Sequence, residues 1–297
     1  MSGSSEANCV LRQQAGLELD MLPGEIGDAA QDADRTRVEA WLASGGDIND
    51  GDEQNYTLLH CCAIGGPAHD QNEVTVANVS LARTLIALGA DVNICDSFGD
   101  SPLHNLLSNA TQGGAWLDML KLLLQAKANL NAKNNEDEPP LVQAIAIDAK
   151  YARYNAPAPP LNLQTSRSLI ALRMLLRAGA SLDHKERQED AADGWETVTA
   201  EDIIISNYGY NNQDDEKVTA MNALVAGVRQ HGTYKRYMRA PHREFLAVRG
   251  LAQRGKLAVQ LATTTRAARE HSALNFIARL GDNGICWHIL TYWCGTD

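Results

Sequence analysis

Paired cysteines are what this 297-residue sequence most plainly lacks. Its six cysteines stand at 9, 61, 62, 95, 286 and 294, and no two form a C-x-x-C pair. That spacing excludes a secreted disulfide framework and a zinc site of the Cys-pair kind, and the thiols read as free ones in a reducing compartment. Aromatics are scarce at 5%, which favours an Ala- and Leu-built helical core over a β-sandwich. No run reaches the roughly 18 apolar residues that cross a bilayer. The start, MSGSSEANCVLRQQAGLELDMLPGE, has one Arg, several acids and no apolar stretch, so it reads as neither a signal nor a transit peptide. An organellar home would require a presequence already removed. Positive charge is also short: the formal charge is -11, which argues against a nucleic-acid binder as a whole.

Catalytic signatures are missing too. There is no G-x-G-x-x-G, G-x-S-x-G or H-E-x-x-H. GLAQRGKL (250–257) approaches a phosphate-binding loop, but Leu257 stands where a magnesium-holding Ser or Thr belongs, so the match reads as chance. His242, His271 and His288 are isolated, and Cys286 with His288 offers two ligands where a tetrahedral site needs four. No carboxylate pair stands out as an acid/base couple. The expectation is a protein without catalytic residues, metal or cofactor.

What is present is a repeat. WLASGGDIND (41–50), LIALGADVNI (85–94), LLLQAKANLNA (122–132) and LLRAGASLDH (175–184) each run from a Leu-rich turn through a helix stop into a polar loop. A second element follows the first three loops: TLLH (57–60), SPLH (101–104) and PPLV (139–142). Thr57 or Ser101 suits a helix cap, and Pro102 suits a first helical turn. Gly45, Gly89 and Gly179 sit where a helix must end left-handed, with Lys127 taking that place in the third segment under strain. Leu59, Leu103 and Leu141 face the neighbouring layer. One such helix pair cannot bury its apolar face alone, so the pairs must stack.

These segments resemble the ankyrin repeat, whose pattern is T-P-L-H-x-A, a leucine helix and G-A-D-V-N; SFGDSPLH (97–104) and LIALGADVN (85–93) match best. The resemblance implies that His60 and His104 are structural, tying neighbouring loops by hydrogen bonds. It implies an all-α fold, an ankyrin-repeat solenoid with a helical C-terminal extension. The expected organisation is an N-terminal extension (1–26), a repeat domain (27–228) and a basic helical extension (229–297). The repeat domain would hold a capping unit, three clear repeats and one degenerate repeat. In the degenerate one, Thr197 and Ala200 take the places of the family's Thr and His. Spacings exceed the family's length because of insertions between paired helices: PAHDQNEVTVANV, TQGGAW and YARYNAPAPPLNLQTS.

Beyond 228 the charge reverses. Residues 229–273 hold ten Lys or Arg against two acids, an excess of +8 that leaves the rest of the chain at −19. Helical spacing recurs in HREFLAVRGLAQRGKLAVQLA and RAAREHSALNFIARL. The last segment offers Trp287, Tyr292 and Trp293 as anchors for a partner.

The function expected is non-catalytic protein–protein interaction, as an adaptor or a peripheral subunit of a larger multisubunit complex. Partner contacts are expected from acidic loop tips: Asp50, Asp52 and Glu53 on the first, Asp96 and Asp100 on the second, Glu136, Asp137 and Glu138 on the third. Ile64, Asn105 and Gln143 on the first helices would line the adjoining groove. Nucleic acid is disfavoured, and the basic tail leaves peripheral contact with anionic lipid open. The alternative is a ubiquitin-ligase substrate adaptor, since LGDNGICWHILTYW (280–293) weakly resembles the opening of an F-box; no convincing SOCS pattern occurs.

Overall fold

A computed structural model describes residues 21–68, 71–108, 115–154, 166–187, 195–209 and 216–240. The chain divides into two compact units, 1–225 and 226–297. The division falls inside one helix, as does the composition boundary at 228.

In the first unit, helix starts follow the capping chemistry of the sequence. Pro23, at φ −61, precedes α1 (Gly24–Gln31), which begins ahead of the expected residue 27. Asp34 accepts from the Arg37 amide to open α2 (Arg35–Ala43). Thr57 caps α3 (Leu58–Ile64) and Thr75 caps α4 (Val76–Ala87). There follow α5 (Pro102–Ser108), α6 (Ala115–Gln125), α7 (Pro140–Tyr154) and α8 (Arg167–Ala178), with Ser166 capping the last. Thr199 caps α9 (Ala200–Tyr208), and α10 is Glu216–His231.

The described residues are mostly helical, with two short antiparallel hairpins that the sequence reading did not include. Strand β1 (Gly66–Ala68) pairs with β2 (Gln71–Glu73), and β3 (Asp183–Arg187) pairs with β4 (Trp195–Thr199). Strand β4 is WETVT, rich in the aromatic and β-branched residues that suit a pleated surface. The insertions also prove shorter than expected. The first ends at Thr75 because Asn78 and Thr75 form a reciprocal capping box there. The third begins only after Tyr154, where α7 ends.

Packing is from neighbour to neighbour. Helices α1, α3, α5, α7 and α9 form a row, each against the next. Helices α2, α4, α6 and α8 pack on α1, α3, α5 and α7 respectively, and α4 also meets α6. Leu59, Leu103 and Leu141 are buried in that row. The stops behave as the sequence implies: Gly45, Gly89 and Gly179 lie at φ +104 to +107, and Lys127 is forced to φ +64 in their place.

Two buried polar links brace the layers. The Asn78 amide nitrogen donates to the carbonyls of Ala30 (3.3 Å) and Gln31 (2.7 Å), joining α4 to the end of α1. At the other end, the Asp148 carboxylate accepts from Ser166 Oγ (2.6 Å) and the Arg167 amide (3.1 Å), so a side chain of α7 helps cap α8. Tyr208 of α9 completes that link by donating to the Ile145 carbonyl at 2.9 Å. In the second unit, the end of α10 turns at Gly232 (φ +77) into helical residues 234–240, where the Tyr237 ring lies against Gly227.

Candidate protein-interaction surface

Between successive helix pairs, the chain makes the same five-residue turn three times, at 52–56, 96–100 and 134–138. Each opens with an Asx residue whose Oδ1 accepts two backbone amides. Asp52 accepts from Gln54 and Tyr56 (both 2.9 Å). Asp96 accepts from Phe98 (2.8 Å) and Asp100 (2.9 Å), and Asn134 from Glu136 (3.1 Å) and Glu138 (3.0 Å). The fourth residue is left-handed each time: Asn55 (φ +62), Gly99 (φ +78) and Asp137 (φ +62). Asn, Gly and Asp are the residues that tolerate this region best. The result is three projecting fingers whose shape is fixed from within.

Neighbouring fingers are then joined. The Ser97 amide donates to the Gln54 carbonyl (2.8 Å), and the Asn135 amide to the Phe98 carbonyl (2.9 Å). A second ladder runs beneath them. Asn49 Oδ1 accepts from the Asp91 amide (2.8 Å), Asn93 from Asn129 (2.7 Å) and Asn131 from Ser181 (3.0 Å).

The two histidines complete the joints. The Thr57 amide donates to His60 Nδ1 at 3.1 Å, and His60 Nε2 reaches the Asp100 carbonyl at 3.1 Å. His104 repeats the arrangement with the Ser101 amide (3.1 Å) and the Glu138 carbonyl (3.3 Å). An Nδ1 that accepts leaves the proton on Nε2, so each ring is neutral and donates across the joint. Burial lowers the His60 pKa to about 4, against the opposing pull of Asp100, Asp96 and Asp52. Burial lowers His104 as well. The tie that the resemblance assigns to these histidines is therefore present at both joints.

The degenerate fourth unit starts two residues later than expected. Its cap is Thr199, not Thr197. Thr199 Oγ1 donates to Asp202 Oδ2 (2.6 Å) while the Asp202 amide returns a bond to Thr199 Oγ1 (3.2 Å). Asp202 therefore stands where the histidine stands elsewhere, and Thr197 lies within β4, paired with Lys185.

The expected contact residues fall into several groups. Glu53 and Glu136 are exposed at finger tips. Asp50, Asp52, Asp100, Asp137, Glu138 and Ile64 are half-buried. Asp52 shapes its finger, Asp100 accepts from Asn134 Nδ2 (3.0 Å) and Asp137 faces Lys133 Nζ (3.6 Å). Burial raises the Asp100 carboxyl above its usual range. Asp96, Asn105 and Gln143 are buried. Asn105 Nδ2 donates to Asp96 Oδ2 (3.2 Å), and Gln143 Nε2 donates to Glu138 Oε2 (2.7 Å), so both amides brace the fingers from behind. Trp287, Tyr292 and Trp293 lie outside the described residues.

Sequence reasoning passed over two exposed aromatics. Phe98 stands at the tip of the middle finger with 55% of its surface exposed, and Trp195 opens β4 at 38%. An aromatic inside S-F-G, a turn sequence with no helical or strand pattern around it, was the available signal for the first. Among the described residues no group of three or more His, Cys, Asp and Glu could hold a metal ion, and no helix is long and apolar enough to cross a membrane.

Helix pairs stacked side by side, with a fixed turn projecting between successive pairs, define a repeat protein. The family profile described as Ankyrin repeat matches residues 98–135, which run from the middle finger through α5 and α6 to the third finger. The chain accordingly carries an ankyrin repeat over those residues. No curated protein matches it.

Proposed function

We propose that this chain is a non-catalytic adaptor or peripheral subunit that binds a protein partner through its fingers. Ankyrin repeats are generally protein–protein interaction modules. The observation that carries the reading is the division of labour in each finger. Buried groups (Asp96, Asn105, His60, His104) fix its shape from behind, and the tip stays bare, with Phe98 between Glu53 and Glu136. Side chains held in place before contact lose little freedom on binding. A large aromatic among acids suits a partner with a basic or mixed surface.

In this reading 27–228 is an ankyrin solenoid, and 229–297 is a basic helical extension that meets the partner or an anionic lipid surface. The free thiols Cys61, Cys62 and Cys95 accord with a reducing compartment. The ligase-adaptor alternative rests on 280–293, outside the described residues, and nothing observed favours it.

The test is co-purification of the untagged full chain with its partners, repeated with Phe98→Ala and with Glu53→Lys/Glu136→Lys. These side chains are exposed, so the melting temperature should not move, while recovery of a fixed-stoichiometry partner should fall at least tenfold for each variant. Equal recovery from wild type and both variants removes the finger tips from the account. A cullin or its linker protein in the wild-type sample would transfer the reading to the ligase adaptor.

A further inference from the structure

The histidine joint cannot be repeated at the third unit. Its cap position holds Pro139, which offers neither an N–H nor a hydroxyl, and its histidine position holds Val142. Lys133, immediately before the third finger, stands at that junction instead. Its ammonium donates to the Lys185 carbonyl on β3 and lies 5.2 Å from the centroid of the Trp195 ring on β4. It is also 3.6 Å from Asp137 on its own finger. Pairing sets Lys185 opposite Thr197, and Arg187 opposite Trp195, so one charge touches both strands of the hairpin.

We infer that Lys133 is a charge-dependent latch that sets the β3–β4 hairpin against the third finger. The positive charge strengthens all three contacts: the carbonyl accepts from a cationic donor, the ring face attracts a cation, and the carboxylate forms an ion pair. A neutral side chain of the same reach forfeits the last two and weakens the first. The histidine joints, by contrast, are made by uncharged rings and do not depend on any lysine. The hairpin's strands pair over five residues each, Asp183–Arg187 with Trp195–Thr199, where each finger is a single five-residue turn. Its base is held independently: the Ala200 amide donates to the Leu182 carbonyl (3.0 Å), and β4 packs on α9. Loss of the latch therefore frees the hairpin without dissolving the row. Its consequence for binding rests on the finger reading above, because a latched hairpin adds a fourth projection to the three short ones.

Hydrogen exchange on the full chain, with no partner present, tests this directly. In Lys133→Gln, amides of 183–187 and 195–199 should exchange about tenfold faster, while 58–64 and 102–108 keep their protection. Lys133→Arg, which keeps the charge and stacks on aromatics, should stay within about twofold of wild type. Unchanged exchange in Lys133→Gln overturns the latch. So does equal acceleration in Lys133→Arg, or acceleration that spreads to the inner helices, since either would make Lys133 a packing residue. Because exchange is read without a partner, failure of the binding reading would leave this result standing.

Discussion

The first two finger joints and the third hold equivalent neighbours together by opposite means. His60 and His104 are fully buried and neutral, and each bridges its own helix cap to the next finger's carbonyl. Lys133 is a charged side chain with 34% of its surface exposed, gripping the neighbouring hairpin from the edge. Neutral buried hydrogen bonds are scarcely touched by salt, whereas an exposed charge is screened within about 8 Å at physiological ionic strength. The contrast divides the described row into a fixed three-finger platform and one adjustable projection. It also ties the chemistry of a joint to the residues at its cap and histidine positions, which at the third unit are Pro139 and Val142.

The largest expected effect comes from breaking a histidine joint. His60→Ala removes the acceptor for the Thr57 amide, leaves the Asp100 carbonyl with the Asp96 amide (2.9 Å) in place of two donors and opens a cavity among buried side chains. A loss of roughly 2–4 kcal/mol in unfolding free energy follows, measured by urea denaturation at pH 7. The same residue sets a pH dependence. In the unfolded chain its imidazole titrates near 6.5, and in the fold near 4, so the unfolded state binds the proton first. Stability is then complete above 6.5 and falls as pH drops toward 4, by about 3 kcal/mol for this one group. Asp100 acts in the opposite sense, since burial favours its protonated form. Denaturation curves between pH 7 and 4 should slope less in His60→Ala than in wild type; parallel curves would place the acid sensitivity elsewhere.

Much of this platform was legible in the sequence, and the failures have physical causes. The Gly45, Gly89 and Gly179 stops and the Leu59, Leu103 and Leu141 core positions follow from chain geometry that few other residues satisfy. The fourth unit was harder because Thr197 and Thr199 stand two apart and the guiding histidine is gone. The capping pair Thr199 and Asp202, three apart before an apolar run, was the signal that identifies the right register. Acid positions were legible as turn residues, but their burial was not. Asp96 faces inward because one oxygen must meet two amides and the other Asn105, an arrangement visible only when all three fingers are aligned. The Lys133 contact joins residues more than fifty positions apart, across a hairpin that composition alone did not announce.

A smaller effect should come from the irregular stop. Lys127 occupies φ +64 where the equivalent positions are glycine, and its side chain is exposed. Lys127→Gly relieves the left-handed strain at a site with no packing to lose. The gain should be about 1 kcal/mol, reduced somewhat by glycine's greater freedom in the unfolded chain. A rise in melting temperature of a few degrees would confirm it, and a fall would mean the lysine stem covers apolar surface that the backbone argument ignores.

The finest test installs the missing joint. Pro139→Thr supplies the amide and hydroxyl that a capping histidine needs, and Val142→His supplies the ring. The carbonyl equivalent to those of Asp100 and Glu138 is Val198, the residue before the Thr199 cap. Val142→His alone should destabilise, because it buries an Nδ1 that faces no donor. The double variant should recover most of that loss, with a favourable coupling of about 1 kcal/mol in a double-mutant cycle. More tellingly, it should make the hairpin indifferent to Lys133→Gln, since a neutral bond then does what the charge did. If exchange in 195–199 stays fast in the triple variant although the coupling is present, the histidine would be capping its own helix without crossing to the hairpin. The two kinds of joint would then not be interchangeable.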